Sequence, residues 1–99
     1  MRRLLDAEEV ARQVADLPGW TGTTRSLRRT YEFDTFPTLV TAVDGIAVEA
    51  EELDHHPDLD IRWRTLHVTC WTHDRSGVTQ LDVELAHRVD DVATGLGAT

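Results

Sequence analysis

The sequence predicts an α+β fold: a four-stranded antiparallel sheet with three helices packed on one face, in the order α-β-β-α-β-β-α. Three segments repeat apolar residues at three- and four-residue steps behind a capping residue, and each gap between them holds two strand-like stretches. Length supplies a further observation. A chain of 99 residues with 40% apolar content suits one domain, taken as 1–99, because a domain of that size buries roughly two-thirds of the surface its unfolded chain exposes.

The first helix starts at Asp6, whose side chain can cap it with Glu9 three residues on. Ala7, Val10, Ala11, Val14 and Leu17 form its apolar stripe, and Pro18-Gly19 stops it. From Trp20 to Phe33 the chain is rich in Thr, Arg and aromatics, which predicts two strands joined near residues 24–26. Thr35 then caps a second helix, with Pro37 tolerated in its first turn. Its stripe of Phe36, Leu39, Val40, Val43, Ile46, Ala47, Ala50 and Leu53 holds the helical period for about five turns. Gly45 costs about 1 kcal/mol relative to Ala in mid-helix and marks a close packing contact.

Leu59, Ile61 and Trp63 alternate with Asp60, Arg62 and Arg64, as in a strand with one apolar and one charged face. A turn at Arg64-Thr65, without the usual Asn or Gly, leads into a strand over residues 66–73. One of its faces carries Leu66, Val68, Cys70 and Thr72; the other carries His67, Thr69, Trp71 and His73. Ser76-Gly77 breaks it. Thr79 and Asp82 form a capping-box pattern ahead of Leu81, Leu85, Val89 and Val92, the third helix. The Gly/Ala/Thr-rich residues 94–99 are expected to fray. Such a sheet leaves one face and its edges in need of cover, so association of subunits is expected.

Composition excludes several classes. Eighteen acidic residues against ten basic ones give a formal charge of −8, which repels a phosphate backbone, so nucleic acid is not an expected partner. No run of about 18 apolar residues occurs and no signal-peptide-like stretch follows the start, so no membrane segment is expected. The single cysteine, Cys70, reads as a small buried hydrophobe in a cytoplasmic protein.

The chemistry concentrates between Glu51 and Asp82. Pro57 disfavours helical geometry at the residue before it, so His55 and His56 fall at a helix-to-strand junction, flanked by Asp54 and with Glu51 one turn back. Imidazoles titrate near neutrality, and neighbouring carboxylates fix tautomer or raise basicity. The following strand pair runs about 20–25 Å out and the same distance back, so His73 returns to the junction. His67 and His87 read as surface or structural residues, and Trp20 and Trp63 as core or interface aromatics. Trp71, beside Thr72 and His73, is placed to flank a flat heterocycle. Asp82 reads as a helix cap, with an added role at the site compatible with that.

The run Ala50-Glu51-Glu52-Leu53-Asp54-His55-His56-Pro57, followed by Trp63, Thr72-His73, Gly77 and Asp82, resembles the signature of the pterin-4a-carbinolamine dehydratases. The likeness extends weakly upstream through Leu17-Pro18-Gly19-Trp20 and Tyr31-Glu32-Phe33. The resemblance implies a dimer or tetramer of this α+β fold that removes water from 4a-hydroxytetrahydropterin to give quinonoid dihydropterin, with no metal or redox cofactor. It further implies His55 and His73 as the acid/base pair and His56 mainly as a holder of the pterin. Asp54, Thr72, Trp71 and Asp82 would supply substrate contacts, and Glu51 would contact substrate or orient a histidine. Trp71 departs from the family pattern, where a small polar residue is common, and so does Leu59-Asp60, where aromatics occur. Two rival readings remain: a non-catalytic assembly module on the same fold, such as a dimerisation cofactor or Rubisco-assembly factor, and a metal site built on the three histidines.

Overall fold

A computed structural model describes residues 2–99; Met1, part of the domain expected over 1–99, lies outside the described residues. The elements are α1 (Ala7–Val14), β1 (Thr21–Gly22), β2 (Leu27–Glu32), α2 (Phe36–Leu53), β3 (Asp58–Arg62), β4 (Thr65–Cys70) and α3 (Gln80–Gly95), with a short 3-10 turn at His73–Arg75. Their order is the expected α-β-β-α-β-β-α. The strands form one antiparallel sheet in the order β1-β2-β4-β3.

Each helix begins where its capping residue sits. Asp6 and Glu9 complete a reciprocal capping box at α1, Thr35 accepts the Thr38 amide at α2, and Thr79 and Asp82 complete a second box at α3. Period two decides which sheet face is covered. Leu27, Tyr31, Leu66, Val68 and Cys70 are buried beneath the helices, whereas the alternate residues Arg28, Thr30, Glu32 and His67 are exposed on the open face. The covered residues join Leu39, Ile46, Leu85 and Val89 in one core cluster; burying each such large side chain contributes about 1.5–3 kcal/mol. At Gly45 the close contact expected in mid-helix is present: a Cβ there would lie 2.9 Å from Val92 Cγ1, so α2 and α3 approach through the missing side chain.

Four expectations need correction. The β3–β4 turn is Trp63-Arg64, one residue earlier than predicted, because Arg62 and Thr65 are the last pair of the ladder. Trp63 therefore leaves the apolar strand face, takes a φ of 54° and is 89% exposed; no core contact holds it. Leu59 and Ile61 share the helix-side face with Val68 and Leu66, but β3 is the sheet edge and all five of its residues are exposed. The last strand ends at Cys70, not at His73. Thr72 and Gly77 exchange backbone hydrogen bonds (2.9 and 3.4 Å), and Ser76 in left-handed geometry (φ 55°) closes the loop between them. Finally, residues 94–99 do not fray: α3 runs to Gly95, and Thr99 donates to Glu32 O at 3.0 Å and accepts from Glu32 N at 3.2 Å.

Candidate active site

The end of α2 aims the first two histidines. Asp54 adopts φ 50°, ψ 45°, its amide bonds Glu51 O at 3.2 Å, and the His55 amide reaches back to Ala50 O at 3.0 Å. This is the Schellman arrangement, in which glycine usually holds the left-handed position. An aspartate there costs roughly 1 kcal/mol of backbone strain. The reversal sends His55 inward and His56 outward, and Pro57 prevents any further helical turn.

His55 is 8% exposed and its Nε2 lies 2.6 Å from Asp82 Oδ1. Asp82, fully buried, uses its second oxygen to accept from the Thr72 hydroxyl at 2.8 Å and the Thr79 amide at 2.9 Å. The same carboxylate therefore caps α3 and grips His55. The Thr72 and Thr79 hydroxyls also meet at 2.8 Å, and among the described residues no buried side-chain nitrogen or oxygen lacks a partner. Asp82, expected as a substrate contact, has no exposed surface and stands behind His55.

The outer histidines are each faced by a carboxylate as well. His56 Nε2 lies 2.5 Å from Glu51 Oε2, both exposed; Glu51 is thus set against His56. His73 Nε2 lies 3.6 Å from Asp58 Oδ1. A carboxylate accepts and does not donate, so in the two hydrogen-bonded histidines Nε2 carries a proton, and the neutral ring offers its lone pair at Nδ1.

His55, His56 and His73 line one open hollow of about 320 Å³, together with Asp54, Trp71 and Thr72. That volume is at the lower end of small-molecule sites. The hairpin brings His73 back to the α2 terminus, as its geometry requires. Beside this hollow, and sharing His56, lies an apolar one of about 320 Å³ walled by Val43, Ile46, Ala47, Pro57 and Leu59. His67 is elsewhere, on the open sheet face, 2.9 Å from Thr30 Oγ1. Among the described residues no group of three or more His, Cys, Asp and Glu side chains is arranged to hold a metal ion. No described helix is long and apolar enough to cross a membrane.

Three residues at this place were missed by sequence reasoning. Arg2 and Asp74 form an ion pair at the hollow's rim, and the hydrogen bond from Arg2 holds the Asp74 carboxyl below the usual carboxylate range. The N-terminal arm reaches there because the Leu5 amide bonds Val78 O at 2.9 Å, a long-range contact with no periodic signal. Asp58, whose carboxylate accepts the Trp71 indole N–H at 2.7 Å, had a signal: it shares the strand face of Thr69, and hence of Trp71.

Comparisons with known proteins place the chain in a family and match its fold. The model of the Pterin 4 alpha carbinolamine dehydratase family matches residues 3–92. A protein of Nocardia farcinica provisionally named pterin-4-alpha-carbinolamine dehydratase is 42% identical over 90 residues, 91% of this chain and 95% of its own. One from Mycobacteroides abscessus with the same provisional name is 46% identical over 87 residues, 88% of this chain and 93% of its own. Among solved structures, a transcriptional coactivator/pterin dehydratase from Brucella melitensis superposes with a TM-score of 0.88 at 30% identity, covering 92% of this chain and 99% of that one. A pterin dehydratase-like protein identified as a RuBisCO assembly factor in the α-carboxysome superposes at 0.62 with 20% identity, covering 75% and 86%; that likeness shows the fold alone.

Proposed function

Because the chain belongs to the pterin-4a-carbinolamine dehydratase family, we propose that it dehydrates a 4a-hydroxytetrahydropterin, of which the 4a-hydroxytetrahydrobiopterin form is the leading candidate, by histidine general acid–base catalysis. The observation that carries this reading is the convergence of three imidazoles on one hollow, each with Nε2 facing a carboxylate. In the reaction a proton goes to the 4a-hydroxyl, the C4a–O bond breaks, water leaves and N5 gives up its proton. The product is quinonoid dihydropterin, which reduction returns to the tetrahydro form.

Hydroxide is a poor leaving group, so an acid near neutrality and a base near neutrality suffice, each contributing about 10²–10⁴-fold. His55 and His73 take those roles. His56, steadied by Glu51, holds the pterin with Asp54, Thr72 and Trp71, while Asp82 acts through His55. The reaction needs no added cofactor: the substrate is itself a spent one.

We also read the chain as a homodimer or homotetramer. Phe36, Ile61 and Trp63 share an exposed hollow beside the unpaired edge of β3, where Leu59 is exposed as well, and an uncovered edge next to apolar side chains is a surface that proteins ordinarily close.

The test is turnover of 4a-hydroxytetrahydropterin by the wild type and by His55→Ala, His73→Ala and His67→Ala. The first two lose at least about tenfold with folding intact, and the third stays near wild type. Wild-type protein that gives no acceleration over the uncatalysed reaction points instead to an assembly module on this fold, as one structural relative is.

A further inference from the structure

Asp58 opens β3 directly after Pro57, outside the wall of the hollow, and its two oxygens are divided between two rings. Oδ2 accepts the Trp71 indole N–H at 2.7 Å, and Oδ1 lies 3.6 Å from His73 Nε2. The rings themselves pack edge to face, with centroids 4.0 Å apart and planes at 70°. Both follow β4 in the chain, on either side of Thr72, whose backbone is bridged to Gly77, so the main chain is held there while the two rings project beyond the ladder. Among the described residues Asp58 is the one carboxylate within ion-pair distance of His73, and Arg2 at the rim is already engaged by Asp74.

We propose that Asp58 is a positioning residue that locks Trp71 and His73 into one unit. Trp71 is thereby fixed as a flat wall for the heterocycle, and His73 is held with Nε2 toward the carboxylate and Nδ1 free. This rests on the reading of the hollow as the pterin site. An indole where the family pattern has a small polar residue becomes intelligible on these terms: it brings a donor that reaches Asp58, and the carboxylate that receives it also faces the histidine.

Two substitutions separate the two holds. Asp58→Asn keeps an oxygen for the indole but removes the charge facing His73; Asp58→Ala removes both. The Asp58 side chain is 56% exposed, so neither change opens the core. Asp58→Asn should leave KM within about twofold and lower kcat about two- to fivefold, the size expected for one exposed charge pair. With Asp58→Ala, KM should rise about threefold or more on top of the same loss in kcat, since an unanchored aromatic wall weakens ground-state and transition-state binding alike. A merely structural residue would move the unfolding midpoint and leave this split unseen.

The second arm uses ligand-free protein. The Trp71 indole N–H resonance should stay near its wild-type position in Asp58→Asn and move upfield in Asp58→Ala, together with a shift of the His73 ring resonances. An unmoved indole resonance in Asp58→Ala, or identical kcat and KM in all three proteins, overturns the proposal. Absence of pterin turnover in the wild type would instead count against the function, because the resonance arm reads the two ring contacts without substrate.

Discussion

Replacing Asp82 by asparagine tests the inner half of the site with almost no change of shape. The Asp82 oxygen that receives the Thr72 hydroxyl and the Thr79 amide has two donors aimed at it, so an asparagine must place its carbonyl oxygen there. Its NH₂ group then faces His55 Nε2 across the 2.6 Å now spanned to a carboxylate oxygen. Two N–H groups cannot share that line. The imidazole must move its proton to Nδ1, which removes the lone pair it offers in the wild type. Exchanging a charge-assisted hydrogen bond for a neutral one costs about 1–2 kcal/mol, and for a chain of this length each kcal/mol lowers Tm by about 4–8 °C. Turnover should fall much further than stability, between about 10-fold and 10³-fold, since one proton transfer is withdrawn while His73 remains. The measurements are urea unfolding, disappearance of 4a-hydroxytetrahydropterin by stopped flow, and ¹⁵N shifts of the His55 ring. Folded Asp82→Asn with turnover within about twofold of wild type would refute the reasoning, because Asp82 would then not set the proton on His55. Asp82→Ala is the poorer probe: stranding three buried donors costs about 3–5 kcal/mol, much of a small domain's total stability.

Other perturbations follow from the same structure. Burial pushes the Cys70 thiol up from its ordinary value of 9.0, and burial followed by the hydrogen bond to Asp90 pushes the Tyr31 hydroxyl up from 10.0. Both protons are held more tightly folded than unfolded, so stability is intact below about pH 9 and falls as pH climbs, when only the unfolded chain ionises. Urea midpoints between about pH 8 and 11 should decline less steeply in Tyr31→Phe, and an unchanged slope would contradict the assignment. Gly45→Ala gains about 1 kcal/mol of helix propensity but drives its Cβ to 2.9 Å from Val92 Cγ1; it should destabilise the wild type and stabilise the Val92→Ala background. Equal effects in both backgrounds would rule out that contact. Trp63→Ser, which removes an 89% exposed ring, should shift sedimentation toward the monomer without lowering the protomer's unfolding cooperativity; an unchanged assembly would exclude Trp63 from the interface.

What the sequence could disclose was local or periodic. Asp6, Thr35 and Thr79 mark helix starts because a cap acts on amides two or three residues away, and the faces of β2 and β4 follow from alternation. The errors fall where a single residue's φ or a distant partner decides. Trp63 carries a left-handed φ with none of the residues that usually advertise one, which moved the turn by one position and placed an exposed ring on a strand face. Residues 94–99 look like a tail by composition, yet Thr99 pairs with Glu32. The site divides in the same way. His55 and His56 were legible from Pro57 and the end of α2, and His73 from the return of the hairpin. Of the carboxylates opposite them, Asp82 and Asp58 needed the fold. Glu51 stands only five residues before its histidine, whereas Asp82 meets His55 across twenty-seven residues and only because α3 begins against the end of α2. The capping box made Asp82 readable as a cap, and the cap is what aims its other oxygen at His55. In this chain one carboxylate both completes the cap of the last helix and meets the His55 ring, so the capping signal carried that contact inside it.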